Sequence, residues 1–285
     1  MNRVTKAVFP LAPAAGGSGP MAMTQLGDRP LIQQAIEEAL AAQITEMIFV
    51  SGNGNGAEED AELGLARELL GHSGLLEAIR RLVPEHVKFA MVRQGEPRGL
   101  GHAVLCARPM IGDEPFAVVL PETVVESRPP ALARLTAQFE SYHCSLLAAH
   151  SANPGERGRL CYVRCGPQLG GLAQVESLTD DPRPANGAAP LEIVGRFVLT
   201  PGIFGRLERL ARDPSAEVRL TDALTLLMEH ETVLADCLEG LSYDCTTRVG
   251  YLKAMVASGL AHPETGAGLS RHLQRLVAAR AAARA

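Results

Sequence analysis

Tryptophan is absent from this 285-residue chain, and aromatic residues of all kinds make up only 4% of it. Proteins that read single-stranded nucleic acid stack bases on aromatic side chains, so the shortage argues against that class. A basic excess is missing as well: 27 Lys and Arg stand against 32 Asp and Glu, a net charge of -5, which leaves no electrostatic footprint for nucleic acid. Long apolar runs are lacking too. Each is soon broken by Pro, Gly or charge, too short to span a bilayer. The first residues, MNRVTKAVFPLAPAAGG, have the early positives and small residues of a signal peptide, but Pro10 and Pro13 interrupt the apolar core. They read as a first strand and loop. The six cysteines form no CxxC pair, and the eight histidines show no HExxH motif or metal-finger spacing. A zinc enzyme is therefore not expected, and the cysteines read as buried free thiols of a cytoplasmic protein.

What is present is an alternation. VTKAVFPL reads as strand one, and PLIQQAIEEALAAQ (30–43) as a helix with Asp28 as its N-cap and Leu31, Ile32, Ala35, Ile36 and Leu40 on one side. ITEMIFVSG (44–52) is a buried strand, and EDAELGLARELLGHSGLLEAIRRL an amphipathic helical segment. HVKFAMVRQ (86–94) is a third strand, GHAVLCARPMI a short helix and PFAVVLPE (115–122) a fourth strand. PALARLTAQFESYH and CSLLAAH add a helix and a strand. Strands apolar on both faces, alternating with helices, predict an α/β sheet covered on either side.

From Ser151 to Leu191 the chain turns polar and rich in Gly and Pro, which reads as loops around short strands such as LCYVRC and AQVESL. Regular structure returns with LEIVGRFVLTPGIF, the helix TDALTLLMEHE, the strand VLADCLEG and a closing helical region. The expected organisation is one domain over 1–265 followed by a helical tail over 266–285, rich in Ala and Arg.

The chemistry-bearing stretches are two. LAPAAGGSGPMAMTQLGDRPLIQQ follows the first strand with a glycine-rich turn, a common phosphate cradle, yet it holds no Lys or Arg before Arg29 and its only hydroxyls are Ser18 and Thr24. The second stretch, VRQGEPRGLGHAVLCARPMIGDEPFAVVLPE, runs from Val92 to Glu122. A planar ring ligand needs an amide partner and a close backbone approach. Gln94 supplies the amide, and Gly95, Gly99 and Gly101 remove side chains that would block a ring. The same glycines also suit a tight strand-to-helix connection with no ligand. His102 reads as a capping or packing residue rather than a catalytic one.

That second stretch resembles the bacterial UTP–glucose-1-phosphate uridylyltransferases. EIVGRFVL, VRLTDALTLLMEHETV, LSYDCTTRVGYLKAMVASGL, KAVFPLA and GDRPLIQQAIEEALAAQITEMIFV are similar to the same family, so the likeness covers most of the chain outside its middle. The resemblance implies a single nucleotide-diphospho-sugar transferase (Rossmann-like) domain with a mixed, mainly parallel central sheet. It also implies Mg²⁺, the substrates UTP and glucose 1-phosphate with UDP-glucose as product, and oligomers formed through the C-terminal part. Metal would be held at Glu122, in LPET where the family has LPD, and at Asp244, in YDCTTRVGY where it has DCG. The sugar would lie near Glu176 and Gly195.

The departures from the family pattern are selective. The Arg and Lys of the family loop GLGTRxLPxTK have no counterpart here, and Arg29 lies beyond that loop. The family's VEKP is Val175-Glu176-Ser177-Leu178, its Asn before VGR is Pro190, and the Gly and Lys after DC are Thr246 and Arg248. Each preorganised charge lost from a transition-state clamp costs about 2.7–4 kcal/mol. No residue is therefore assigned a certain catalytic role. Three readings follow: a weakly active or inactive paralogue that binds nucleotide sugar and regulates, alone or as a hetero-oligomer with an active relative; a fully active enzyme with charge from Arg98, Arg196 or Arg248; or an interaction subunit with an empty pocket. Neither nucleic acid nor membrane is an expected partner.

Overall fold

Ala7, Val8 and Phe9 are all fully buried, yet they serve two different cores. In a computed structural model of the chain, which describes residues 3–11, 22, 24–51, 84, 86–96, 98–151, 160–169, 172–181 and 191–282, these three lie on β1 (Lys6–Pro10). Ala7 and Phe9 join one apolar cluster while Val8 joins the other. Side chains alternate across a strand, so a strand covered on both faces needs apolar residues at every position.

The hairpin β2 (Gln25–Leu26) and β3 (Arg29–Pro30) leads into α1 (Leu31–Ala41). Then come β4 (Glu46–Ser51), β5 (Lys88–Arg93), α2 (Leu100–Cys106), α3 (Arg108–Ile111) and β6 (Phe116–Val119). β7 (Thr123–Glu126), α4 (Ala131–Tyr142) and β8 (Ser145–Ser151) follow. The second half holds β9 (Tyr162–Leu169), β10 (Leu172–Thr179), β11 (Leu191–Leu199), α5 (Gly202–Leu210) and α6 (Leu220–Met228). It closes with β12 (Val233–Cys237), β13 (Leu241–Asp244), α7 (Arg248–Ala261) and α8 (Gly266–Ala282).

Nine of the described strands form one sheet in the order β5-β4-β1-β6-β11-β8-β12-β10-β9. β11 runs antiparallel to β6 and β8, and β10 antiparallel to β12 and β9. The other seven share one direction, so the sheet is mixed and mainly parallel, as the sequence predicts. One face packs under α1 and α4, with Ile36, Leu132, Leu135 and Phe139 inside it. The other packs under α2, α5 and α6, where Phe116 stacks on Phe204 with ring centroids 5.0 Å apart. Each such side chain contributes about 1.5–3 kcal/mol by leaving water.

Some boundaries differ from the sequence reading. The N-cap of α1 is Pro30, with extended backbone and no capping side chain, while Asp28 sits in the β2–β3 turn. The fourth strand ends at Val119, and Thr123–Glu126 pairs instead with β13. In the polar middle, β9 and β10 are each eight residues long, a full hairpin rather than short fragments. Cys161 and Cys245 are buried, but Cys106, Cys144 and Cys165 are half-buried. Cys237 is exposed, because it is the last residue of β12 and lies past the four inward positions. The tail is a helix as far as Ala282 with no buried residue, and Gly266 N–H donates to the His262 carbonyl at its start. The glycine-rich phosphate turn (apart from Leu11, Ala22 and Thr24), the helical segment after β4, and Pro190 lie outside the described residues. Among the described residues no helix is long and apolar enough to cross a membrane.

Candidate active site

β5 ends at Arg93 and delivers Gln94, 1% exposed, to the carboxyl end of the parallel strands. Ligands of open α/β sheets bind at that end. The Gln94 amide nitrogen lies 3.3 Å from the Gly99 carbonyl and 3.0 Å from His102 Nδ1. Its carbonyl oxygen, Oε1, is buried and has no hydrogen-bond partner among the described residues. A buried polar atom without a partner costs roughly 1–3 kcal/mol, and a ligand that supplies one recovers it.

The glycines of this turn divide. Gly99 has φ +94°, in the left-handed region, and a Cβ there would meet the Glu217 side chain at 2.8 Å and the Val218 carbonyl at 2.9 Å. A Cβ on Gly101 would meet that carbonyl at 2.7 Å, and Gly101 N–H already donates to it at 2.8 Å. Both therefore have a packing reason: they let α2 close against the segment before α6. Beside Gly95, in contrast, no described residue lies within 4 Å of an added Cβ. Of the three glycines, only Gly95 has such open space among the described residues.

Glu122 and Asp244 come together although they lie on separate parts of the chain. Asp244 pairs with Thr123 in the β13–β7 ladder, and Cys245 N–H donates to the Glu122 carbonyl at 2.9 Å. Asp244 Oδ1 accepts from Thr246 N–H at 3.0 Å and Thr246 Oγ1 at 2.6 Å, which fixes the carboxylate and leaves Oδ2 without a partner among the described residues. Cys245 sits between the two acids: burial first, then Asp244 and Glu122, push its thiol up to about 12. Two carboxylates suit Mg²⁺, which keeps waters and takes substrate phosphate oxygens rather than an all-protein cage. Among the described residues no third acidic, His or Cys ligand joins them.

Gly195 adjoins this pair. Its carbonyl accepts from Leu120 N–H at 3.0 Å, its φ is +72°, and a Cβ would sit 3.0 Å from the Leu120 Cβ. Glu176 stands apart on β10, exposed, with its carboxylate laid against Gly166 of β9. Sequence reasoning missed two groups here. One is His102, which the sequence reads as packing, although it directly follows Gly101 and lies three residues past Gly99. Ser242 Oγ also lies 2.8 Å from His150 Nε2, with Glu192 Oε2 3.9 Å from the same nitrogen. No sequence spacing links those three: the β8–β11 pairing sets Glu192 opposite His150, and Ser242 reaches them from β13.

Two of the three arginines offered as spare charges are committed elsewhere. Arg196 is 2% exposed; it pairs with Glu38 at 2.8 Å and donates to the carbonyls of Leu120 and Thr123, both at 2.9 Å. Arg98 donates to the carbonyls of Ala211, Asp213 and Ala216, tying down the segment before α6. Arg248, at the first position of α7, is exposed.

This arrangement has relatives. The Nucleotidyl transferase family profile matches residues 11–255. The UTP–glucose-1-phosphate uridylyltransferase of Escherichia coli (strain K12) is 35% identical over 286 residues, covering 93% of each chain. A UTP-bound UGPase from Acinetobacter baumannii superposes with a TM-score of 0.74 at 32% identity, over 96% of this chain and 99% of that one. A UDP-glucose pyrophosphorylase complexed with UDP-glucose gives 0.75 at 29% identity, over 90% and 98%. The chain belongs to the nucleotidyl transferase family, among the UTP–glucose-1-phosphate uridylyltransferases.

Proposed function

We propose that this chain binds uridine nucleotide and UDP-glucose at the Gln94 turn but transfers uridylyl groups slowly, acting as a nucleotide-sugar-binding regulatory member of its family. The observation that carries the reading is the commitment of Arg98 and Arg196 to backbone carbonyls and to Glu38. Neither guanidinium replaces the charges missing from the glycine-rich loop. The family reaction attacks the UTP α-phosphate with an oxygen of glucose 1-phosphate as pyrophosphate leaves. Gln94 Oε1 accepts the uracil N3–H, the open side of Gly95 admits the ring, and Glu176 accepts from sugar hydroxyls. Glu122 and Asp244 would hold Mg²⁺, which supplies Lewis-acid neutralisation of phosphate charge. With the cationic clamp reduced, each missing charge lowers the rate about a hundredfold to a thousandfold.

Arg248 favours a second reading. It is exposed four positions beyond Asp244 and offers one cation to a phosphate, the start of a working clamp. Calorimetric titration with UDP-glucose and with UTP, both with Mg²⁺, followed by a pyrophosphate-release assay on the same sample, separates the two. Binding without appreciable turnover supports the regulatory reading; ordinary turnover overturns it in favour of a full enzyme. Absence of any binding overturns both. Self-association, expected from the resemblance, is read by light scattering on that sample.

A further inference from the structure

The Gln94 carboxamide is held by two acceptors of different kinds, and together they determine what its free atom offers. The Gly99 carbonyl is an acceptor only, so the amide atom 3.3 Å from it is the nitrogen. That same nitrogen is 3.0 Å from His102 Nδ1, so Nδ1 accepts and the imidazole is neutral with its proton on Nε2. Nε2 faces Cys106 Sγ at 4.0 Å, a weak acceptor. The remaining atom, Oε1, is then a buried acceptor with no partner among the described residues.

We propose that His102 is a specificity-positioning residue: with the Gly99 carbonyl it locks the Gln94 carboxamide so that Oε1 is the atom left for the base, selecting a nucleobase with a ring N–H at its pairing edge over one with a bare ring nitrogen. The inference rests on the reading of this turn as the uridine site. Uracil carries N3–H and donates to Oε1. Cytosine sets the N3 lone pair against that oxygen, an uncompensated acceptor–acceptor contact. If the carboxamide turned over, its NH₂ would face the base and the preference would reverse. Gly99 alone opposes that rotation with one bond, His102 with a second.

The environment of the imidazole agrees. Burial and the neighbouring Arg98 push the His102 pKa below its usual value, while Glu96 acts in the opposite direction. Nothing in the lock is recognisable from spacing, since a His eight residues after a Gln is an ordinary occurrence. It emerges because Gly99, in its left-handed conformation, opens α2 and places His102 over the end of β5.

The test has two arms. In the wild-type protein at neutral pH, ¹⁵N ring spectroscopy gives the Nε2–H tautomer for His102, its signal assigned by its loss in His102→Asn; an Nδ1–H tautomer overturns the lock whatever the protein binds. In the second arm, UTP and CTP are titrated into wild type, His102→Leu and His102→Asn. The Leu variant, which has no acceptor, loses about tenfold of the discrimination, the worth of one net hydrogen bond. The Asn variant restores it, because its Oδ1 replaces Nδ1. Unchanged discrimination in a folded Leu variant overturns the proposal. If wild type binds neither nucleotide, the uridine-site reading falls instead, and the tautomer alone decides whether the lock exists.

Discussion

Cys245 N–H donates to the Glu122 carbonyl at 2.9 Å, a backbone contact that ties the two acidic positions of the site to each other. Side-chain length at position 122 can therefore be varied while the frame stays in place.

Glu122→Asp is the first variant that follows. It withdraws the carboxylate by about one C–C bond toward the geometry Mg²⁺ demands. Mg²⁺-dependent pyrophosphate release is expected to rise about tenfold. A fall in release would show that the longer side chain is the fitted one.

Arg196→Met is expected to destabilise the fold by about 3–5 kcal/mol, because it leaves Glu38 charged and largely buried without its partner. Urea unfolding reads this directly. Adding Glu38→Leu should recover the part of the loss owed to the unpaired charge, but not the part owed to the Leu120 and Thr123 carbonyls and the Leu132 N–H, which lose their partners. If Arg196→Met unfolds at the wild-type urea midpoint, the guanidinium is not structural and returns as a candidate phosphate ligand.

Gly101→Ala drives a methyl into the Val218 carbonyl and the Leu207 side chain, 2.7 and 2.8 Å away. Overpacking of this kind costs about 1–3 kcal/mol. Gly95→Ala meets no described residue, so its unfolding midpoint should match wild type while its affinity for UTP falls. Equal affinity in Gly95→Ala would move the base away from this glycine.

Alkaline pH should unfold the protein progressively. Cys161 and Cys245 are each pushed from 9.0 to about 12, in both cases chiefly by burial. Between those values the unfolded chain has released thiol protons that the folded chain still holds, so stability falls as pH rises from 9.0 toward 12. Urea midpoints across that window test it. The double variant Cys161→Ala, Cys245→Ala should flatten the slope even though each truncation lowers stability at neutral pH.

Acid acts on His102 in the opposite sense. Its pKa lies below the ordinary 6.5, through burial and Arg98 against the opposing Glu96. The unfolded chain takes up the proton first, so the stability contributed by the neutral ring is whole above 6.5 and is lost as pH falls through the lowered value. Protonation also puts a hydrogen on Nδ1 facing the Gln94 NH₂. UTP affinity measured below pH 6.5 should fall in wild type and stay level in His102→Asn.

The central sheet is legible in the sequence because its strands are buried on both faces. FAVV and MIFV are continuous apolar runs that only a covered strand explains. The start of α1 was misread for a local reason: Asp28, Arg29 and Pro30 fit a helix entry, but a two-residue hairpin uses them first. β7 and β13 left no trace, since a short pairing between distant segments has no period of its own. The arginines show the deeper limit. In sequence Arg98 and Arg196 are charges like any others, and only burial reveals that backbone carbonyls have already claimed them. The Glu122–Asp244 pair was accessible through resemblance, while the His102–Gln94 and Ser242–His150 contacts arise only from tertiary neighbours.

The closure of the Gln94 turn by the segment before α6 sets an order of events for the nascent chain. Arg98 reaches the Ala216 carbonyl across 118 positions, and Val218 N–H returns a bond to the Arg98 carbonyl at 2.7 Å. Contacts so distant in sequence form late, because the loop between them must close first. A ribosome-bound chain that has exposed β5 and α2 therefore has the residues of the Gln94 turn without the segment that closes it. If the Gln94 turn holds nucleotide as proposed, that ligand stabilises only the finished polypeptide and pulls the last closure toward completion.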